Sequence, residues 1–147
     1  MSRSLPLLVI LTALLALACD PIVMIPGGAL SGSERPVPDD WAFTDEVDTV
    51  QLETRPGAPY SVNIWCVAIE GALYVGGSRE SAWTQHAVAD SDVRLRVGDD
   101  LYPLRATEAT SDAEAEAFMK AAFAKYETEL DPELRTSAIL FRLEPRD

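Results

Sequence analysis

Short stretches of alternating apolar and polar residues, joined by tight turns, most constrain the fold of this chain. In Val93-Arg94-Leu95-Arg96-Val97 every second side chain is apolar, which is the period of a strand with one buried face. Gly98-Asp99-Asp100 then supplies a tight turn. Residues 101–107 resume a β pattern, in which Pro103 indicates an edge strand or a bulge. These segments predict an antiparallel hairpin.

The same pattern occurs earlier in the chain. Residues 49–54 alternate, and residues 55–59 contain Pro and Gly in a turn-forming sequence. Residues 60–69 form the longest β-like run, and because both of its faces are largely apolar we expect a central strand. Glu70-Gly71 turns the chain into a further strand over residues 72–75.

Two helices are predicted between and after these hairpins. A short helical stretch covers residues 81–89, and Ser111 with Glu114 has the spacing of a capping box at the start of the clearest helix. Six residues of that helix fall on one face: Ala115, Phe118, Met119, Ala122, Phe123 and Tyr126. With a last strand over residues 137–143, the order predicts an α+β fold: a small barrel or curled, mainly antiparallel sheet with two flanking helices.

The first residues have the pattern of a secretion signal. Arg3 is followed by an apolar stretch over residues 5–18, about 14 residues long, which suits a signal and is shorter than the ~20 of a spanning helix. Leu15-Ala16-Leu17-Ala18-Cys19 resembles the bacterial lipobox, although Ala16 stands where Leu is commonest. We therefore expect residues 1–18 to be removed and Cys19 to be lipidated; ordinary secretion with an incidental Cys is the alternative.

The expected location is the cell envelope, with the protein lipid-anchored and facing the periplasm. Asp20 resembles a signal for retention in the inner membrane. Residues 19–40 are rich in Pro and Gly, which predicts a tether or a stretch packed across the domain of residues 41–147. The formal net charge of −12 excludes nucleic acid as a partner and leaves the acyl chains as the membrane attachment.

Four segments carry a resemblance to a known fold family. They are residues 53–62, residues 71–78, the stretch 83–93 that begins Trp83-Thr84-Gln85-His86, and the end strand over residues 141–146. In this order they resemble the split β-barrel of pyridoxamine 5′-phosphate oxidase-like flavoproteins and their deazaflavin-dependent nitroreductase relatives. The resemblance implies an FMN-binding type of split barrel, a homodimer, and FMN or a deazaflavin as the cofactor.

Position by position, the resemblance implies a set of cofactor-binding residues. On the first hairpin they are Thr54, Arg55, Ser61 and Asn63; at the loop before the first helix they are Gly77, Ser78 and Arg79, with Trp83 bordering the ring system. Glycines would let the backbone approach a phosphate, and a helix N-terminus offers unpaired N–H groups. Two departures weaken this site: the hairpin keeps only one basic residue, and His86 replaces the family's Asn.

Two functional hypotheses remain open from the sequence. One is a membrane-anchored oxidoreductase that depends on FMN or a deazaflavin; the other is a cofactor-free ligand-binding or interaction lipoprotein with the same fold. No catalytic residue is identified, and no metal site is expected because the sequence lacks a ligand cluster. His86 is interpreted as structural, and Cys66 as a buried, inert thiol.

Overall fold

The computed structural model describes residues 27–129 and 134–147. The predicted signal and Cys19 therefore lie outside the described residues. The strands are β1 (Ser33–Glu34), β2 (Val50–Thr54), β3 (Tyr60–Ile64), β4 (Val67–Ile69), β5 (Ala72–Ser78), β6 (Asp92–Val97), β7 (Asp100–Glu108) and β8 (Ala138–Pro145). The helices are α1 (Ala82–Ala89), α2 (Asp112–Tyr126) and the single turn α3 (Leu134–Ser137), and a 3-10 helix covers Ala42–Glu46.

One curled sheet contains all eight strands. Its order is β3-β2-β6-β7-β8-β5-β4, every pairing along this path is antiparallel, and β1 adds to β7 in parallel. The two end strands, β3 and β4, are consecutive in the chain, so the sheet curls until its ends meet at a corner. This is the split β-barrel with two flanking helices that the sequence predicted.

The barrel interior is filled by the inward faces of these strands. Leu52, Leu73, Leu95 and Leu104 are fully buried there, and Phe141 is 1% exposed. Across residues 27–129 and 134–147, no helix is both long enough and apolar enough to cross a membrane.

The prediction of one central strand over residues 60–69 was wrong. The run breaks at Trp65-Cys66 into β3 and β4, and β3 lies at the end of the sheet rather than in its middle. The backbone of Cys66 is held by α2 instead of by a neighbouring strand. Its N–H donates to the Tyr126 hydroxyl at 3.2 Å, and its carbonyl accepts from Lys125 Nζ at 2.8 Å. The corner is therefore fixed by a helix about sixty residues further along the chain.

Pro103 lies where β7 changes partners. β7 pairs with β1 at Asp100 and Leu101 and with β8 from Leu104 onward, so Pro103 falls between the two registers. On its other side, Pro103 stands opposite Arg94 in an unbroken register with β6. The expectation of an edge strand or a bulge was therefore wrong, because β7 lies between β6 and β8. A proline is tolerated at this position because neither β1 nor β8 pairs with it there.

Helix α2 begins as the sequence predicted but packs more loosely. The Glu114 N–H donates to Ser111 Oγ at 3.1 Å, which is the bond of an N-cap. The helix ends at Glu127, a left-handed residue with φ 53°. Only Ala122 of the predicted apolar face is buried, and Phe123 is 51% exposed. The predicted apolar face of α2 is therefore only partly buried.

Residues 27–35, which we call the strap, lie against the barrel. Gly27 pairs with Ser61 of β3 through two backbone hydrogen bonds of 2.8 Å. Ser33 and Glu34 pair with β7. Between these ends, Leu30 is 9% exposed and contacts a buried ion pair. The described part of the predicted tether is therefore fastened to the barrel.

The ion pair beneath the strap joins Glu53 of β2 to Arg94 of β6. Arg94 donates from Nε at 2.9 Å and from Nη2 at 2.7 Å to the two carboxylate oxygens. The Leu30 N–H donates to the same carboxylate at 2.7 Å, and the Leu30 carbonyl accepts from Arg94 Nη2 at 2.9 Å. Burial alone would raise the pKa of Glu53, but these hydrogen bonds hold that pKa below its ordinary value.

Candidate functional site

A cavity of about 680 Å³ lies between α2 and the sheet. Two sets of contacts hold α2 over it. Near its N-terminus, Glu114 accepts from the Tyr74 hydroxyl at 3.0 Å and pairs with Arg142. At its C-terminus, the Tyr126 ring stacks on Trp65 with 4.2 Å between centroids. The helix spans the gap between these two contacts without filling it.

Apolar side chains form most of the cavity wall. From α2 come Ala115, Phe118, Met119, Ala122 and Tyr126; from the sheet come Val67, Gly76, Gly77, Ala138, Ile139 and Leu140; Trp65 closes the corner. Phe118 and Met119 are half-buried, and Trp65 is 46% exposed. A mostly apolar cavity of this volume is typical of a small-molecule site.

The rim of the cavity is acidic. Arg79, the guanidinium on the rim, pairs with Glu108 at 2.7 Å. Asp112 and Glu116 also line the cavity and are exposed. Once the Arg79–Glu108 pair is set aside, the lining carries two further carboxylates and no further Lys or Arg.

Of the eight cofactor-binding residues predicted by resemblance, three line this cavity. Gly77, Ser78 and Arg79 lie together at the end of β5. Gly77 has a packing reason of its own, because a Cβ there would lie 2.6 Å from a ring carbon of Trp83. Trp83 is 7% exposed and also packs against Phe141, so it belongs to the core.

The remaining predicted residues lie on the first hairpin and do not line the cavity. Thr54 is fully buried, and its hydroxyl lies 3.2 Å from His86 Nδ1. Ser61 is buried beneath Gly27 of the strap, whereas Arg55 and Asn63 are exposed.

His86 is held inside a small polar cluster on the hairpin side. Its ring meets the Tyr60 ring edge-on at 4.9 Å, and Arg55 lies 5.8 Å over the same Tyr60 ring. Burial lowers the pKa of His86, and the charge of Arg55 lowers it further. These contacts are structural, in agreement with the interpretation from sequence.

Cys66 is buried at the barrel corner. Burial raises the pKa of its thiol, although the Lys125 ammonium 3.8 Å away opposes that shift. A protonated, inaccessible thiol is unreactive. The structure therefore agrees with an inert Cys66.

Sequence reasoning missed the two features that define the cavity. Trp65 was read as one residue of a continuous strand, although it lines the cavity from a corner. Glu108 has no sequence signal that marks it as the partner of Arg79. The helical spacing of Phe118 and Met119 did place them on one face of α2, but it did not show that this face borders a cavity.

The lining of this cavity offers little positive charge to the phosphate group of a flavin. Arg79 is already engaged by Glu108, and at the α2 N-terminus Ser111 Oγ already accepts the Glu114 N–H with Asp112 beside it. Among the described residues, every buried side-chain nitrogen or oxygen has a hydrogen-bond partner. The cavity wall suits a flat ring, but the places for a phosphate are taken by carboxylates. Within the same residues, no group of three or more His, Cys, Asp or Glu could hold a metal ion.

The structure is a split β-barrel with an open, mostly apolar cavity beside it. The sequence matches no protein family and no curated protein. Several solved structures have the same fold, and three of them illustrate the likeness. A candidate pyridoxamine 5′-phosphate oxidase from Listeria innocua is 13% identical, with a TM-score of 0.58, and the match covers 72% of this chain and 90% of that chain.

The other two have the same degree of likeness. An F420 reductase is 16% identical with a TM-score of 0.53, over 76% of this chain and 97% of that chain. An FAD-binding protein from Mesorhizobium loti is 13% identical with a TM-score of 0.53, over 86% of this chain and 95% of that chain. At these identities the likeness establishes the fold.

Proposed function

We propose that this chain is an envelope lipoprotein that binds a flat, apolar aromatic ligand in the cavity under α2. The observation that carries the proposal is the cavity of about 680 Å³ with a half-buried apolar wall. Pockets of about 300–1,000 Å³ hold drug-sized ligands. The stacked rings of Trp65 and Tyr126 at one end favour an aromatic ligand, because offset stacking adds to the burial of apolar area.

The binding test uses the full chain in phosphatidylcholine nanodiscs. Isothermal titration calorimetry is run with two flat tricyclic probes, neutral lumiflavin and cationic proflavine, and empty nanodiscs correct for partition into lipid. Ala115→Trp places a large ring in the cavity and should abolish binding. Ala124→Trp is the matched control, because Ala124 is an exposed α2 residue that does not line the cavity. If neither probe binds the wild-type chain, this proposal fails.

The membrane attachment is a separate part of the proposal. It rests on the lipobox-like sequence that ends at Cys19, and two or more acyl chains would give stable anchoring. Labelled palmitate should enter the wild-type protein and not a Cys19→Ser variant. Equal labelling of both proteins, or labelling of neither, would refute lipidation at Cys19.

The second candidate function is a flavin- or deazaflavin-dependent oxidoreductase that acts as a homodimer. It is supported by Ser78 and Arg79 at the cavity rim and by the fold shared with proteins named as an F420 reductase and an FAD-binding protein. The cofactor would supply the hydride chemistry, and this chain would supply the ring pocket. A chromophore retained on purification, or one gained on adding FMN or a deazaflavin, together with a dimer in sedimentation, would favour this candidate. A colourless monomer would exclude it.

A further inference from the structure

The chain's own carboxylates occupy the cavity positions that would otherwise attract an anion. Arg79 lies at the end of β5, where it could meet a phosphate, but Glu108 accepts its Nη2 at 2.7 Å. The first turn of α2 also offers partial positive charge. There, Asp112 and Glu114 supply negative charge, and the Glu114 N–H already donates a hydrogen bond to Ser111 Oγ.

The rest of the lining adds negative charge rather than positive. Glu116 lies one turn along α2 from Asp112, and both are exposed at the cavity rim. The cation nearest the aromatic end is Lys125, which does not line the cavity. Its Nζ donates to the carbonyls of Thr44 and Cys66 at 2.8 Å each. The same Nζ lies 5.0 Å from the centroid of the Tyr126 ring. Among the side chains that line the cavity, the charged ones apart from the Arg79–Glu108 pair are Asp112 and Glu116.

The aromatic end of the cavity also favours positive charge. Trp65 is 46% exposed while stacked on Tyr126, so part of its indole remains open. An indole is the best of the aromatic side chains at attracting a cation to its face. Apolar wall, aromatic end and acidic rim thus select for the same kind of molecule.

We infer that the cavity is selective for a flat aromatic cation and rejects ligands that carry a phosphate. The inference rests on the proposed binding function and specifies its ligand class. It separates this chain from a flavin site, because FMN carries the group that the rim disfavours. In this respect the acidic rim acts as a charge filter on an otherwise permissive apolar cavity.

The experiment compares three probes on the full chain in phosphatidylcholine nanodiscs: cationic proflavine, neutral lumiflavin, and FMN, which has the lumiflavin ring system plus a ribityl phosphate. We expect proflavine to bind tightest, lumiflavin at least about tenfold more weakly, and FMN weakest, since each step of about 1.4 kcal/mol is tenfold in affinity. FMN binding as tightly as lumiflavin, or proflavine no tighter than lumiflavin, would overturn the inference while leaving the binding function intact. If no probe binds, the binding function itself fails.

A second experiment measures the affinities of the same three probes in variants that each lack one carboxylate. Glu108→Gln frees Arg79 and should raise FMN affinity about tenfold with little change for lumiflavin. Glu116→Gln should weaken proflavine alone, by severalfold. Glu46→Gln is the matched control, because it removes one exposed carboxylate that does not line the cavity and should alter none of the three affinities. If Glu108→Gln leaves FMN affinity unchanged, Glu108 does not act as the filter and the inference is rejected.

Discussion

Removing Arg94 should loosen the strap and reverse the pH response of Glu53. In Arg94→Leu, the Glu53 side chain, which is 2% exposed in the wild type, loses both guanidinium hydrogen bonds. Removing one partner of a buried pair costs about 3–5 kcal/mol. Because the Arg94 side chain is itself 29% exposed, we expect a loss near the lower end, about 3 kcal/mol. With a urea m-value of about 2 kcal/mol/M, the unfolding midpoint should fall by about 1.5 M.

The stability lost in Arg94→Leu should depend on pH, and the direction of that dependence follows from the pKa of Glu53. In the wild type the pKa of Glu53 lies below its ordinary value, so its stabilising contribution is present above the ordinary pKa and is lost as pH falls through the lowered one. In Arg94→Leu, burial is opposed only by the Leu30 N–H and by the charge of Arg146, and because burial is the largest of these effects we expect the pKa to lie above the ordinary value. Protonation then relieves the buried charge, so the deficit relative to the wild type should shrink between pH 7 and about pH 4.

The assay is urea unfolding of the full chain followed by tryptophan fluorescence at several pH values. Arg96→Leu is the control, since Arg96 also donates to the strap, at the Ser31 carbonyl and 3.0 Å, but leaves no buried carboxylate behind. It should cost less than about 1 kcal/mol. A deficit for Arg94→Leu that is constant from pH 7 to 4, or that is matched by Arg96→Leu, would refute the reasoning.

Three further predictions follow from local packing, capping and burial. Gly77→Ala should destabilise the fold by about 1–3 kcal/mol in urea unfolding, because its Cβ would meet the Trp83 ring; a loss unaffected by Trp83→Leu in the double variant would contradict this. Ser111→Ala should cost about 1 kcal/mol through the lost N-cap bond, measured the same way, and Ser111→Asp should restore most of it. His86, the single histidine of the chain, should titrate by NMR below its ordinary pKa of 6.5, and Arg55→Gln should move that pKa upward; an upward shift in the wild type would refute the burial argument.

The strands could be predicted from the sequence wherever local periodicity and a tight turn coincide. The β6–β7 hairpin is of this kind, since its alternation and its Gly98 turn are encoded within seventeen residues. The corner at Trp65-Cys66 is not, because Lys125 and Tyr126, sixty residues away, supply the hydrogen bonds that replace strand pairing there. The long apolar run therefore predicted one strand, whereas contacts with α2 divide it into β3 and β4.

The candidate site, like the strands, could be predicted only where local sequence determines it. The apolar face of α2 was visible as the helical spacing of Phe118 and Met119, but periodicity cannot distinguish a packed face from one that borders a cavity. The position of Gly77 and Arg79 at the end of β5 was predicted by resemblance. Their contacts with Trp83 and Glu108 are tertiary and cannot be predicted from a local sequence pattern. Gly77 is required for packing against Trp83, and Arg79 is paired with Glu108.

The strap shortens the distance over which the anchor can hold the barrel. Because the barrel is fastened from Gly27 onward, seven residues separate it from the proposed lipid at Cys19 rather than the whole span to residue 40. At about 3.4 Å per residue, the eight steps from Cys19 to Gly27 reach at most ~27 Å. That is close to the ~30 Å thickness of a bilayer's hydrocarbon core. If Cys19 carries the proposed lipid, a tether of this length would confine the barrel to the layer next to the membrane, and a ligand or partner would have to reach the barrel at that surface.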